Sequence, residues 1–474
     1  MESELLKTAY SAEEFRKQGH RWIDLLADHI DNSIQERNER VINWQLPEDE
    51  RQFWNHFLKG GDPENLPEII LQRCIHIHNP RYMGHQISPI VPITSLTNLL
   101  SAVLNNGMGI YEMGAAPTAM ERVVTDELCK AVGYNTNANG FLTSGGTLAN
   151  LTALLSARQH FLRNQGIDFD RENKLSIMVS EEAHYCIARA AKIMGLGEEG
   201  IIKIPVDSEF KMRTDLLDTY LQSALSNGRL VLAIVGSAPS TATGIYDDLD
   251  KIAKWAKKHS IWFHVDGAHG GAAVFSAKHK ELISGMQNAD SIVIDGHKMM
   301  MMPSITTALL FKDGRNSHMT FRQKADYLLE ESEEEDWYNL AKRTFECTKY
   351  MMSLHWYALI KTYGLKIFDE FVTRLYDLAR EFALLVKEDP DFELAVQPMS
   401  NILCFRYIGP SRHRMPNNEL NRLLRQRVLE EGIYYIVQTK LGNEMYLRTT
   451  IMNPFSTADH FNGLLTHIKS LAQE

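Results

Sequence analysis

An α/β fold with a mostly parallel sheet, a helical N-terminal arm and a smaller C-terminal α+β domain is what this sequence predicts, on three observations. Short apolar runs alternate with helical stretches from about residue 76 to 350. Before residue 75 the apolar residues recur at near-helical spacing, and beyond about 351 the alternation gives way to a different pattern. The domain division expected is therefore 1–75, 76–350 and 351–474.

In the first segment Trp22, Ile23, Leu25, Leu26, Ile30 and Ile34 stand amid charge, as an amphipathic arm that packs on its own domain or on a partner subunit. In the second, the candidate strands are KLSIMVS (174–180), IIKIPV (201–206), LVLAIVGSA (230–238), WFHVDGA (262–268), SIVIDGH (291–297) and TALLF (307–311). Between them a helix is expected over 214–227, with Thr214 as N-cap and Gly228 as terminator. Another places Leu249, Ile252, Ala253 and Ala256 on one face. The last segment reads as a long helix (367–387), a strand at ILCFRY, a helix at 418–431 and a strand at MYLRTTI. The acidic run EESEEED (330–336) cannot bury its charges together and is expected as an exposed loop.

The chain has 474 residues, 44% hydrophobic and 23% charged, enough for one large core and a satellite domain. A net charge of -10 with scattered lysines and arginines argues against a nucleic-acid partner. The segment MESELLKTAYSAEEFRK mixes acids and bases where a secretory signal needs an apolar stretch, and no apolar run reaches membrane-spanning length. The five cysteines are widely spaced and form no zinc or redox motif, which suits a reducing compartment. A cytoplasmic protein with no membrane partner and no metal site is expected.

Three stretches carry chemistry. TSGGTLANLTALLSARQ is a small-residue turn running into a helix that begins near Thr147. Amides at such a helix start point at an anion, so the turn is either a phosphate site or an ordinary glycine turn. WFHVDGAHGG delivers Asp266 to the carboxyl end of a strand, the edge where open α/β sheets bind ligands. There the acid either holds a proton on a ligand nitrogen or caps a helix. SIVIDGHKMMMMP ends a strand at Asp295, Gly296, His297 and Lys298, ahead of four methionines. Apolar surroundings would lower the lysine pKa and free its amine for imine chemistry; the alternative is a surface lysine with its stem packed on methionine.

Together the blocks NPRYMGHQISP (79–89), YEMGAAPTAMERVV (111–124), TSGGTLAN (143–150), EEAHYCIARAAKIMG (181–195), STATGIYDDL (240–249), VDGAHGG (265–271), DGHKMMMMP (295–303) and YLRTTIMNP (446–454) resemble, in order, the group II pyridoxal-dependent amino acid decarboxylases. That family includes glutamate, cysteine sulfinate, aromatic amino acid and diaminobutyrate decarboxylases. The resemblance implies fold type I of the pyridoxal phosphate enzymes, pyridoxal 5'-phosphate as cofactor, a small-molecule partner that is an amino acid substrate, and a homodimer with shared active sites. It assigns Lys298 to the Schiff-base lysine, Asp266 to the partner of the pyridinium nitrogen, and Gly146 and Thr147 to the phosphate turn, with Ser144, Gly145 and Asn150 beside them. It places His297 near the phosphate, His184 on the cofactor ring, and Thr241 and Ala268 among lesser contacts. Tyr338 takes the place of a loop tyrosine that returns a proton to Cα, and Cys347 that of a downstream cysteine. Arg448, an arginine inside an apolar strand, matches a segment that binds the substrate carboxylate; an internal ion pair is the competing reading.

Three substituted positions and one insertion depart from the family. His269 stands where an aromatic residue is common, Asp295 and Gly296 replace the common Asn and Pro, and NPRYMGHQ has one extra residue before its glutamine. His85, Gln86 and His269 are candidate contacts for a polar or acidic substrate side chain. Aspartate, glutamate, cysteine sulfinate and 2,4-diaminobutyrate are the candidate substrates, and an aromatic one is less favoured. Transaminases and aldolases share the turn, the acid and the lysine, and are the competing enzyme class.

Overall fold

The computed structural model describes residues 3–166, 174–321, 336–412 and 414–474. The chain gathers into two compact units, one of residues 1–85, 381–395 and 404–474, the other of residues 86–380 and 396–403.

The second unit is organised by a seven-stranded sheet. Its strands are β1 (Asn139–Thr143), β2 (Lys174–Ser180), β3 (Ile201–Ile204), β4 (Arg229–Ser237), β5 (Trp262–Asp266), β6 (Ser291–Asp295) and β7 (Thr307–Phe311), in the order β1-β7-β6-β5-β4-β2-β3. β3, β2, β4, β5 and β6 pair in parallel. β7 is antiparallel to both β6 and β1, so β1 runs the same way as β6 and β7 alone is reversed. β1, β5, β6 and β7 are buried at every position, as strands covered on both faces must be. The helix Gly146–Gln165 supplies one cover: Ala149, Ala153 and Ala157, four residues apart and fully buried, let it lie close against Phe141, Leu232 and Leu309 of the sheet.

Local expectation and structure differ in two places here. The stretch expected as one helix from Thr214 begins as a 3-10 turn over Thr214–Leu216 and becomes α-helical over Leu217–Ser226, with no side-chain cap. β1 was not among the expected strands: opening on Asn-Gly, it leaves only Phe141, Leu142 and Thr143 as strand-forming residues. The expected acidic loop lies outside the described residues except for Asp336.

The first unit opens with the helices Glu4–Ala9 and Ala12–Ile34, capped by the side chains of Ser3 and Ser11. It also holds most of a four-stranded sheet of β8 (Phe392–Leu394), β9 (Ile402–Tyr407), β10 (Val437–Leu441) and β11 (Glu444–Thr450), in the order β10-β11-β9-β8. The segment before residue 85 is tied to this part of the chain: Tyr82 stacks on Tyr435 at 5.6 Å, and the Thr450 amide donates to the Met83 carbonyl at 2.8 Å. Among the described residues no helix is long and apolar enough to cross a membrane.

Candidate active site

Because β1, β2, β4, β5 and β6 all point the same way, their carboxyl ends share one edge of the sheet. The loops leaving that edge carry the chemistry-bearing residues: Ser144 to Thr147 after β1, His184 after β2, Thr241 after β4, Asp266 and Ala268 at the end of β5, and His297 and Lys298 after β6. All of them, with Asn150 on the first turns of the helix Gly146–Gln165, line one cavity of about 340 Å³. Cys186, Pro239, His269, Asp295 and Ile305 complete its wall.

The phosphate-type turn is built by its glycines. Gly145 has φ 92°, a left-handed conformation that side chains disfavour, and it sits as the N-cap of the helix. A Cβ on Gly146 would come within 3.1 Å of Asp295 Oδ1 and 3.3 Å of the Ala268 Cβ, tight contacts that glycine avoids. The amides of Gly146 and Thr147 open the helix, where no carbonyl of its own can satisfy them. Ser144 behaves differently: its amide donates to Glu346 Oε1 at 3.2 Å, and the Thr143 hydroxyl donates to the same carboxylate.

Lys298 corrects one expectation. The methionines that follow it are indeed buried, at 0 to 4% exposure, but they do not set its electrostatics. The chain folds back through Gly296, whose amide donates to the Thr306 carbonyl at 2.8 Å, and brings Lys298 Nζ to 2.9 Å from Asp295 Oδ2. Burial pulls the lysine pKa down; the charge and hydrogen bond of Asp295, with help from Asp266, outweigh it and hold the pKa above the ordinary value. Asp295 is itself fixed by the Thr307 hydroxyl at 2.5 Å and lies 3.6 Å from His297 Nε2.

His184 caps the helix Tyr185–Ile193, its Nδ1 accepting from the Cys186 amide at 3.3 Å. Burial lowers its pKa, against the charge of Asp266, which favours a neutral ring. Asp266 accepts from the Ala268 amide at 3.2 Å. His269 is buried, with a hydrogen bond of 2.8 Å between its Nε2 and Asn401 Oδ1.

The chain matches the family model described as the pyridoxal-dependent decarboxylase conserved domain over residues 61–408. The chain belongs to the pyridoxal-dependent decarboxylase family. It is 25% identical to an aromatic-L-amino-acid decarboxylase of Bacillus atrophaeus, over 98% of this chain and 96% of the relative. It is 26% identical to an L-2,4-diaminobutyrate decarboxylase of Acinetobacter baumannii, over 86% and 83%. Among solved structures, it is similar to the glutamate decarboxylase domain of a Vibrio parahaemolyticus diaminobutyrate-pyruvate transaminase and L-2,4-diaminobutyrate decarboxylase, with TM-score 0.81 and 26% identity over 95% of each chain.

The protein is thus a pyridoxal phosphate-dependent carboxy-lyase with the fold of that enzyme class. The cavity suits the cofactor of such a decarboxylase: glycine cradle and helix-start amides at one side, a carboxylate at the end of β5, an amine after β6. Other residues singled out in the sequence lie elsewhere. Tyr338 is not in the cavity wall; its ring packs edge-on against Tyr111 at 5.4 Å. Gln86 opens the second unit, and its side-chain nitrogen is buried. Arg448 and His85 belong to the first unit, where Arg448 is 6% exposed on β11. Burial pulls the Arg448 pKa down, and burial together with Arg448 and Arg425 pulls that of His85 down. Cys186 and Asn401 were not singled out for the site by sequence; nothing in their immediate sequence marks them, because their roles arise from contacts with distant strands and loops.

Proposed function

We propose that this decarboxylase removes the α-carboxylate of a polar L-amino acid, with aspartate, glutamate, cysteine sulfinate and 2,4-diaminobutyrate as the candidate substrates. The observation that carries the reading is the convergence of Lys298, Asp266, His184 and the Gly145–Thr147 turn on one cavity of about 340 Å³. In this reading Lys298 is the covalent anchor, Asp266 holds the ring nitrogen, and the amides of Gly146 and Thr147 with His297 hold the phosphate. His184, largely neutral, supplies a flat face for the ring, and Thr241, Ala268, Ser144, Gly145 and Asn150 shape the rest.

When bound, the cofactor supplies an electron sink for the charge left as CO2 departs. The chain does the remainder. Asp295 takes the charge of the Lys298 ammonium whenever that amine is not bonded elsewhere. Arg448 binds a substrate carboxylate through its guanidinium fork, and its burial strengthens that attraction. His269, His85 and Gln86 read the substrate side chain, and Tyr338 returns a proton to Cα. The presence of both His184 and Tyr338 favours simple release of an amine over an aldehyde-forming outcome.

A homodimer with shared sites belongs to the same proposal. It is supported by the apolar residues left exposed on the helix Pro92–Leu104, namely Leu96, Leu99, Leu100 and Val103, and by Leu5, Leu6 and Phe15 of the N-terminal helices. A cytoplasmic location is supported by the cysteines: among the described residues no disulfide joins any of the five.

The test is to incubate the protein with pyridoxal phosphate and a panel of L-amino acids while following CO2 and amine, beside Lys298→Ala. Amine and CO2 from one acidic or diamino substrate, absent in the variant, are expected. Exchange of amino groups without CO2, or turnover of aromatic substrates alone, would sink the reading.

A further inference from the structure

A chain of buried hydrogen bonds ends on the one carboxylate that faces the cavity from β5. Trp262, His264 and Asp266 alternate along that strand and so project to the same face. Ser291, the register partner of His264 on β6, lies between the first two: Trp262 Nε1 donates to Ser291 Oγ at 2.9 Å, and Ser291 Oγ is 2.8 Å from His264 Nδ1. His264 Nε2 is 2.7 Å from Asn150 Oδ1; Asn150 Nδ2 donates to Cys186 Sγ at 3.4 Å; and Cys186 Sγ donates to Asp266 Oδ2 at 3.8 Å. His264, Ser291, Asn150 and Cys186 are at most 1% exposed and Trp262 is 4% exposed.

The direction of every bond follows from its two ends. Asn150 donates its amide group to sulfur and turns its carbonyl oxygen, which only accepts, to His264 Nε2, so the neutral ring carries its proton there. His264 Nδ1 is then an acceptor and takes the Ser291 hydroxyl proton, and at the other end the thiol proton faces the carboxylate. Burial holds His264 at a pKa of about 4 and pushes the Cys186 thiol up, so neither the ring nor the sulfur changes charge near neutrality. A carboxylate that receives donors is a weaker base, and a proton shared between it and a nitrogen stays with the nitrogen.

We infer that Trp262, Ser291, His264, Asn150 and Cys186 are positioning residues, a one-way donor relay that keeps Asp266 an acceptor and leaves the shared proton on the ring nitrogen of the cofactor. The inference rests on Asp266 being the partner of that nitrogen. The same relay fixes the helix of the phosphate turn, through Asn150, and the helix of His184, through Cys186, to the strand that carries Asp266.

The experiment loads the full-length protein with pyridoxal phosphate labelled with 15N in the ring and reads the nitrogen chemical shift, with thermal melting beside it. The wild type and Cys186→Ser are expected at the protonated value. Cys186→Ala is expected to move toward the unprotonated value with its melting temperature little changed, and Ser291→Ala to move in the same direction by less. A wild-type shift in both Cys186→Ala and Ser291→Ala overturns the relay; movement in Cys186→Ala alone overturns everything beyond the thiol. Asp266→Asn separates the two levels: if it leaves the shift where the wild type has it, the underlying assignment of Asp266 is what fails.

Discussion

Lys298 Nζ lies 2.9 Å from Asp295 Oδ2, an ion pair between residues three apart at the carboxyl edge of the large sheet. An acid in that position changes how the lysine behaves. Its amine is held as an ammonium, with a pKa above the ordinary value despite burial. The stabilisation this pair gives the cofactor-free protein is present at neutral pH and is lost as pH rises past the ordinary lysine range.

Asp295→Asn therefore lowers the lysine pKa, because burial remains and the opposing charge is gone. A neighbouring opposite charge is worth about 1–3 pKa units. The pH midpoint for cofactor uptake, followed by absorbance after mixing with pyridoxal phosphate, should move down by about that much. An unchanged midpoint would show that Asp295 does not control the amine.

A second ion pair, this one buried on both sides, lies against β1. Lys349 and Glu121 are paired at 6% and 1% exposure, and they also hold β1: the Lys349 ammonium donates to the Leu142 carbonyl at 2.6 Å and the Leu142 amide donates to Glu121 at 3.0 Å. Removing one partner strands the other, at a cost of about 3–5 kcal/mol. Lys349→Met alone should lower stability by that order in denaturant unfolding, and adding Glu121→Leu should restore part of the loss. A double variant as unstable as the sum of the singles would contradict the coupling.

Acid should destabilise the fold well above the carboxylate range. His29, His264 and His355 are each held by burial at a pKa of about 4, from an ordinary value of 6.5. A histidine with a depressed native pKa is protonated first in the unfolded chain, so stability falls as pH drops from 6.5 toward 4. For the fully buried His264 the ceiling is about 3 kcal/mol. Melting temperature against pH should slope through this window, and His355→Gln should flatten it.

Arg448 gives a test of substrate recognition. If it binds the substrate carboxylate, Arg448→Met lowers kcat/KM by roughly 100-fold, about 3 kcal/mol, and leaves cofactor uptake intact. Arg448→Lys keeps the charge and loses the two-pronged geometry, so it should recover only part. Loss of cofactor uptake in step with activity would make Arg448 structural.

The large sheet was readable because its strands are short apolar runs: KLSIMVS and TALLF coincide with β2 and β7. β8 and β10 were not readable, the first for its three residues and the second for its half-polar VQTKL pattern. The site was readable wherever the residues are adjacent, as in the glycine turn and the Asp295–Lys298 stretch. It was misread at Lys298, where the four methionines next in sequence suggested an apolar amine while the group that matters folds back from three residues before.

Sequence by itself determined the α/β class, the family and the acids that end β5 and β6, because each of these is written in local pattern: apolar runs, glycine turns and contiguous blocks. Tertiary structure alone decided the charge state favoured for Lys298, the union of segments 1–85 and 404–474 in one compact unit, and the relay from Trp262 to Asp266. Electrostatics and hydrogen bonding act over a few ångströms of space, and neither His264 and Ser291 nor Asn150 and Cys186 are near each other until the sheet and its covering helices bring them there.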